Sequence, residues 1–234
     1  MKYLDKNMHL GEAECASDAV KSSELLLGRL GQLATELEAS TPSRPKERAK
    51  LLLDSAYILL DLERRDEAWA PAKEAFDLAV PVEDWEQAVQ ACDVMSQTEH
   101  PDAVKALVHG VWLGVTYPID RELSVAILHR LVEETPPQAD AAAVAAAAAR
   151  YLVDLRALDK QRADLEFFTT QMLGEVARKH SQVDSQELFS FWIDRLALND
   201  PGSVLSRLAK VLDALVPGAW WYDRDDLRSR LPVN

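Results

Sequence analysis

The sequence predicts an all-α fold, a solenoid of stacked antiparallel helix pairs with about ten or eleven helices. Three observations predict it. Ala, Leu, Glu, Arg and Asp dominate the 234 residues, with only 8 glycines and few β-branched or aromatic runs, so strands have little to be made from. Apolar residues recur by threes and fours through most of the chain, the spacing of a helix face. Residues 48–116 carry one pattern twice at a spacing of 35: Leu53, Asp54, Tyr57, Ala68, Ala72, Ala75 and Leu78 recur in role as Ala88, Val89, Cys92, Ala103, Leu107, Gly110 and Leu113. A fainter third pass follows with Leu123, Ser124, Ile127, Ala142, Ala145 and Ala148. A period of this length marks a stack of helical pairs, and such a stack is a surface for holding something.

The elements can be read in order. A helix is expected from Glu12, with Ala16, Ala19, Ser23, Leu26, Leu30, Leu33 and Leu37 forming one narrow apolar seam. Two readings of it stay open, a cap on the first face of the stack and a homodimerisation helix. Thr41-Pro42-Ser43-Arg44-Pro45 breaks it, because each proline disfavours helical geometry in the residue before it. Helices then follow over 45–62 and 67–79. His100-Pro101-Asp102 and Tyr117-Pro118-Ile119-Asp120 punctuate the next unit, and Thr135-Pro136-Pro137 the third. The alanine run over 141–149 reads as tightly packed core, since Val144, Tyr151, Leu152 and Leu155 continue its apolar side. Helices over 162–179 and 184–198 make a fourth pair, Asp200-Pro201 starts another helix, and a last one begins near Asp223. The organisation expected is a lead-in and capping helix over 1–44, three helix pairs over 45–158, and closing helices over 159–234.

Leu53-x-x-Ala56-Tyr57, Asp66-Glu67-Ala68, Ala75-x-x-Leu78 and Pro81 resemble a tetratricopeptide-type repeat. The second unit has that family's spacing at Trp85, Ala88, Val89 and Cys92, then Ala103, Leu107 and Gly110. The chain departs from the pattern in a two-residue excess per unit, in Asp54 at a usually small position and in Lys50 where an aromatic is common. The resemblance covers residues 47–154 and implies that the first helix of each pair lines a concave face.

On that register the exposed inner positions are Glu86, Gln90 and Asp93 in the second unit and Arg121, Val125 and His129 in the third, a mixed and mainly acidic groove for a protein or peptide partner. The family's pocket for a terminal carboxylate needs basic and Asn residues, which Glu86 and Gln90 do not supply. A second candidate surface is Trp220-Trp221-Tyr222, which either closes the last hydrophobic face or anchors a partner.

Charge narrows the partner. The net charge is −13, and residues 61–100 hold 11 acidic against 3 basic side chains. Such a surface disfavours nucleic acid, a dense line of negative charge, and permits a basic protein or peptide. No window of about 20 residues is free of charge, and the start lacks a signal peptide's apolar core. Cys15 and Cys92 stand apart, which suits a reduced, cytoplasmic protein.

The sequence carries no motif for covalent chemistry. It has no Gly-rich phosphate loop, no His-Glu-x-x-His and no Gly-x-Ser-x-Gly, and no histidine has a glutamate three residues before it. The function expected is that of an interaction adaptor or assembly chaperone, without enzymatic activity, metal or cofactor. The alternatives are a sensor domain for a peptide or small metabolite and an enzyme whose site carries no recognisable motif.

Overall fold

A computed structural model describes residues 3–4, 16–40, 43–156, 159–218 and 220–231. The helix start at Glu12, the seam side chains of Ala16 and Ala19, the two residues Thr41 and Pro42, and Cys15 fall outside what is described. Among the described residues there is no strand. Among them eleven α-helices follow one another, with a short 3-10 turn at Val80–Val82: α1 (Ala16–Ala39), α2 (Pro45–Asp61), α3 (Arg65–Ala79), α4 (Trp85–Ser96), α5 (Ala103–Thr116), α6 (Arg121–Glu134), α7 (Asp140–Arg156), α8 (Asp159–Ser181), α9 (Gln186–Arg195), α10 (Pro201–Leu215) and α11 (Arg224–Ser229).

Helix starts follow local chemistry. Asp84 accepts from the Gln87 N–H, Asp120 from Leu123, Ser185 from Leu188 and Asp200 from Gly202, each satisfying a donor that the first helical turn leaves open. Pro45 and Pro201 stand in first turns, where a missing N–H costs nothing. Helix α3 starts at Arg65, two residues before the expected 67, with Asp66 and Glu67 in its first turn and Arg64 2.5 Å from Glu67; carboxylates favour that end of a helix.

The 35-residue period is visible as three consecutive pairs, α2 with α3, α4 with α5 and α6 with α7, each packed on the next. The first helices α2, α4, α6 and then α8 touch in series along one face. The recurring positions are the contacts that hold the pairs. Ala68, Ala72, Ala75, Ala88, Val89, Cys92, Leu107, Leu113, Leu123 and Ile127 are all buried. At Gly110 an added Cβ would sit 2.7 Å from the Cβ of Cys92 and 3.2 Å from Ile127, so only glycine lets α5 lie this close to its neighbours.

In α7 every residue over 142–149 is buried. The small side chains let α6, α8 and α10 pack around it. Arg156, at its end, donates to the Gly114 and Val115 carbonyls at 2.8 and 2.6 Å, satisfying acceptors left open at the end of α5.

Helix α1 lies on α2 through Leu26, Leu30, Leu33 and Leu37, while Leu25 and Leu27 face outward. The C-terminal part differs from a simple continuation. Helix α8 extends the row of first helices, but α10 turns back against α7 and α5. The aromatic segment after it lies on α3 and α5, in the middle of the stack rather than at its end.

Candidate functional site

The inner face formed by α2, α4, α6 and α8 carries two neighbouring recesses that share Tyr3 and Arg130. The smaller, about 340 Å³, is lined by Arg29 of α1, Asp54 and Tyr57 of α2, and Gln90, Asp93 and Gln97 of α4. The larger, about 560 Å³, lies between α6 and α8 and is lined by Ala126, His129, Phe167, Phe168, Met172 and Glu175.

Beneath the smaller recess is one closed polar set. The Asp93 carboxylate is 3% exposed. It accepts from Arg130 Nε at 2.5 Å, from Gln97 Nε2 at 3.2 Å and from the Tyr57 hydroxyl at 3.4 Å. A buried charge persists only when paired and hydrogen-bonded in this way. Burial, with Asp93 adding to it, pushes the Tyr57 phenol well above its ordinary range, so it stays a neutral donor. The set ties α2, α4 and α6 together and fixes the spacing of the inner face.

The residues from the start of the chain lie on this face. The Tyr3 and Leu4 N–H groups both donate to Oε1 of Glu122, the second at 3.1 Å. Gln90 Nε2 donates to the Tyr3 hydroxyl at 2.7 Å. Leu4 is buried in a small apolar cluster with Val125 and Ala126 of α6, Val153 of α7 and Leu165 of α8. The segment is thus held by two consecutive main-chain N–H groups on one buried carboxylate, with one side chain at a polar recess and the next in an apolar cluster.

The sequence-derived positions separate here. Gln90, Asp93 and His129 line the recesses. Glu86 is exposed and Arg121 half-buried, and neither lines them. Two expectations of exposure are corrected. Asp93 is covered because Arg130, Tyr57 and Gln97 close over it, and Val125 because Leu4 and α8 pack on it. His129 packs edge-on against Phe168, with ring centroids 5.3 Å apart, and burial lowers its pKa. Sequence reasoning missed Tyr57 as a polar contributor, Glu122, Arg130 and the Phe167-Phe168 pair. It also missed Tyr3-Leu4, whose one signal is an aromatic-aliphatic pair in an otherwise polar lead-in.

Trp220, Trp221 and Tyr222 occupy the opposite, outer face. The Trp221 N–H donates to Nε2 of His109 at 2.8 Å, while His109 Nδ1 is 2.6 Å from the Lys105 carbonyl. The ring is therefore the Nδ1–H tautomer and neutral, and burial pushes its pKa down to about 4. Trp221 stacks on His109 at 4.4 Å and meets Phe76 edge-on at 5.4 Å. Arg224 sits 3.8 Å over Trp220, and Tyr222 donates to the His109 carbonyl at 3.2 Å. The segment's rings thus pack half-buried on α3 and α5 of their own chain.

Among the described residues no group of three His, Cys, Asp or Glu side chains could hold a metal ion. Cys92 is fully buried, and burial pushes its thiol well above the ordinary range, the opposite of an activated nucleophile. No described helix is long and apolar enough to cross a membrane.

Fold and site together define an all-α helical solenoid with a recessed inner face. No known protein family, curated protein or solved structure matches the chain.

Proposed function

We propose that this protein is an interaction adaptor or assembly chaperone that holds a short segment of a partner across the inner face of α2, α4, α6 and α8. The observation that carries this reading is the seat of Tyr3 and Leu4, where the inner face engages the main-chain N–H groups of a bent segment through Glu122. The tetratricopeptide resemblance agrees with it, since that family's first helices line the binding face. Asp54, Asp93, Glu122, Asp164 and Glu175 on or under this face against Arg29 and Arg130 favour a basic segment. The mechanism is binding alone, with shape from the stacked helices, selectivity from the recesses and no covalent step. A reduced cytoplasmic setting suits the buried free thiol of Cys92.

The test is capture of partners from the native host's lysate by the wild-type chain, by Phe167→Asp on the inner face and by Lys105→Glu on the outer face. Phe167 is 63% exposed, so its replacement leaves the core intact. A partner held by wild type and Lys105→Glu but lost by Phe167→Asp supports the adaptor reading. A partner retained by Phe167→Asp and lost by Lys105→Glu moves the binding surface to the outer face.

One observation favours a second reading. The α6–α8 recess, about 560 Å³, is within the size range of small-molecule pockets, so a sensor that takes a metabolite there is the alternative. A ligand below about 1 kDa that raises the melting temperature of wild type and not of Phe167→Asp would select it.

A further inference from the structure

We infer that the inner face reads a basic–aromatic–aliphatic segment and that the chain's own Tyr3-Leu4 is a built-in competitor for it. The inference rests on the adaptor reading and names the partner's chemistry. Three features of the seat define what fits. Glu122, itself buried, takes two consecutive main-chain N–H groups through one oxygen, which suits a bent backbone like that of Tyr3-Leu4, whose adjacent N–H groups converge, and not an extended one, whose successive N–H groups point to opposite sides. Gln90 points its amide N–H at a hydroxyl on the first residue, selecting tyrosine over phenylalanine. The pocket made by Val125, Ala126, Val153 and Leu165 takes an aliphatic second residue. The excess of carboxylates around the recesses favours a cation beside the pair, and in this chain Lys2 directly precedes Tyr3.

Tyr3 and Leu4 fill this seat incompletely. Among the described residues none occupies the larger recess, bounded by Phe167, Phe168 and Met172, beyond Leu4. A partner that offers the same pair and a further apolar side chain for that recess makes every contact Tyr3-Leu4 makes and adds one. The tethered segment acts at a high effective concentration, on the order of millimolar, so a weak or incomplete partner segment is excluded and a fuller one displaces it.

The experiment uses a labelled peptide of residues 1–10 of this chain and fluorescence anisotropy. It is titrated into the full wild-type chain and into the full chain carrying Tyr3→Ser with Leu4→Ser. The expected result is binding about tenfold tighter to the double variant, because the tethered competitor is gone. Adding Glu122→Gln to that background should weaken binding about fivefold or more, and a Tyr-to-Phe peptide should bind more weakly than the Tyr peptide. A melting temperature for the double variant within a few degrees of wild type confirms that the stack is intact. Equal affinity for wild type and double variant, or affinity unchanged by Glu122→Gln, overturns the inference, as does absence of binding to both. If the peptide fails while a lysate partner still depends on Phe167, the inference falls and the adaptor reading stands. If both fail, the inner face is not the binding surface.

Discussion

The two faces of the stack each receive a segment from near one end of the chain, and they treat it differently. On the outer face Trp220, Trp221 and Tyr222 are stacked, hydrogen-bonded and flanked by Lys73, Lys105 and Arg224 over their rings. On the inner face Tyr3 and Leu4 are held by one carboxylate, one amide and one small apolar cluster, beside recesses that stay open. Large aromatic area with hydrogen bonds from main chain and side chain is what makes a permanent contact. Modest area with main-chain hydrogen bonds is what makes an exchangeable one. On the proposed reading the outer contact belongs to stability and the inner contact to recognition.

That contrast can be broken at several points, the first being the largest. Trp221→Ala removes the ring that joins His109 and Phe76 and should destabilise the fold by about 2–3 kcal/mol, measured by chemical denaturation. A loss below about 0.5 kcal/mol would mean that the strap is not part of the closure. Next comes pH. Folding lowers the His109 pKa to about 4 from the usual 6.5, so between these values the unfolded chain holds the extra proton and stability falls as pH falls. Between about pH 7 and pH 5 the loss from this group is about 2 kcal/mol. His109→Gln should remove most of that slope, read from denaturation midpoints at both pH values, although His129, whose pKa burial also lowers, keeps a smaller part of it. An unchanged slope would contradict the assigned tautomer and contacts.

Smaller effects sharpen the other side of the comparison. Tyr3→Ala should cost less than about 1 kcal/mol of stability, the scale of one hydrogen bond, and should leave the denaturation profile cooperative. A cost equal to that of Trp221→Ala would make the inner segment structural as well. Smallest is Ala197→Gly, in the turn after α9. Ala197 has φ of 47°, a region costly for a residue with a Cβ, so glycine there should stabilise by about 0.5 kcal/mol after its own entropic cost. A loss of stability would show that the turn is held by more than its backbone.

The helical stack was legible in the sequence because it is written in a period. The alanines at 68, 72 and 75, Gly110, and the run over 142–149 are small where helices approach, and small residues repeated at helical spacing mark a close helix contact. Asp84, Asp120 and Asp200 announced helix starts for a similarly local reason. The inner face was less legible because its members converge from α1, α2, α4, α6 and α8. Asp93 and Val125 satisfied the register and were still misjudged for exposure, since what covers them, Arg130 and Leu4, lies 37 and about 120 positions away. The path of α10 back over α5 and α7 was illegible for the same reason. No local signal says which face a closing helix will choose.

The central claim is that partners dock on the inner face. The most direct test is a photoreactive phenylalanine derivative in place of Phe167 in one protein and of Lys105 in another, irradiated in the native host's lysate. The account predicts a discrete cross-linked partner from position 167 and none from position 105. Cross-linking from position 105 with position 167 silent would contradict it and make the outer face the binding surface.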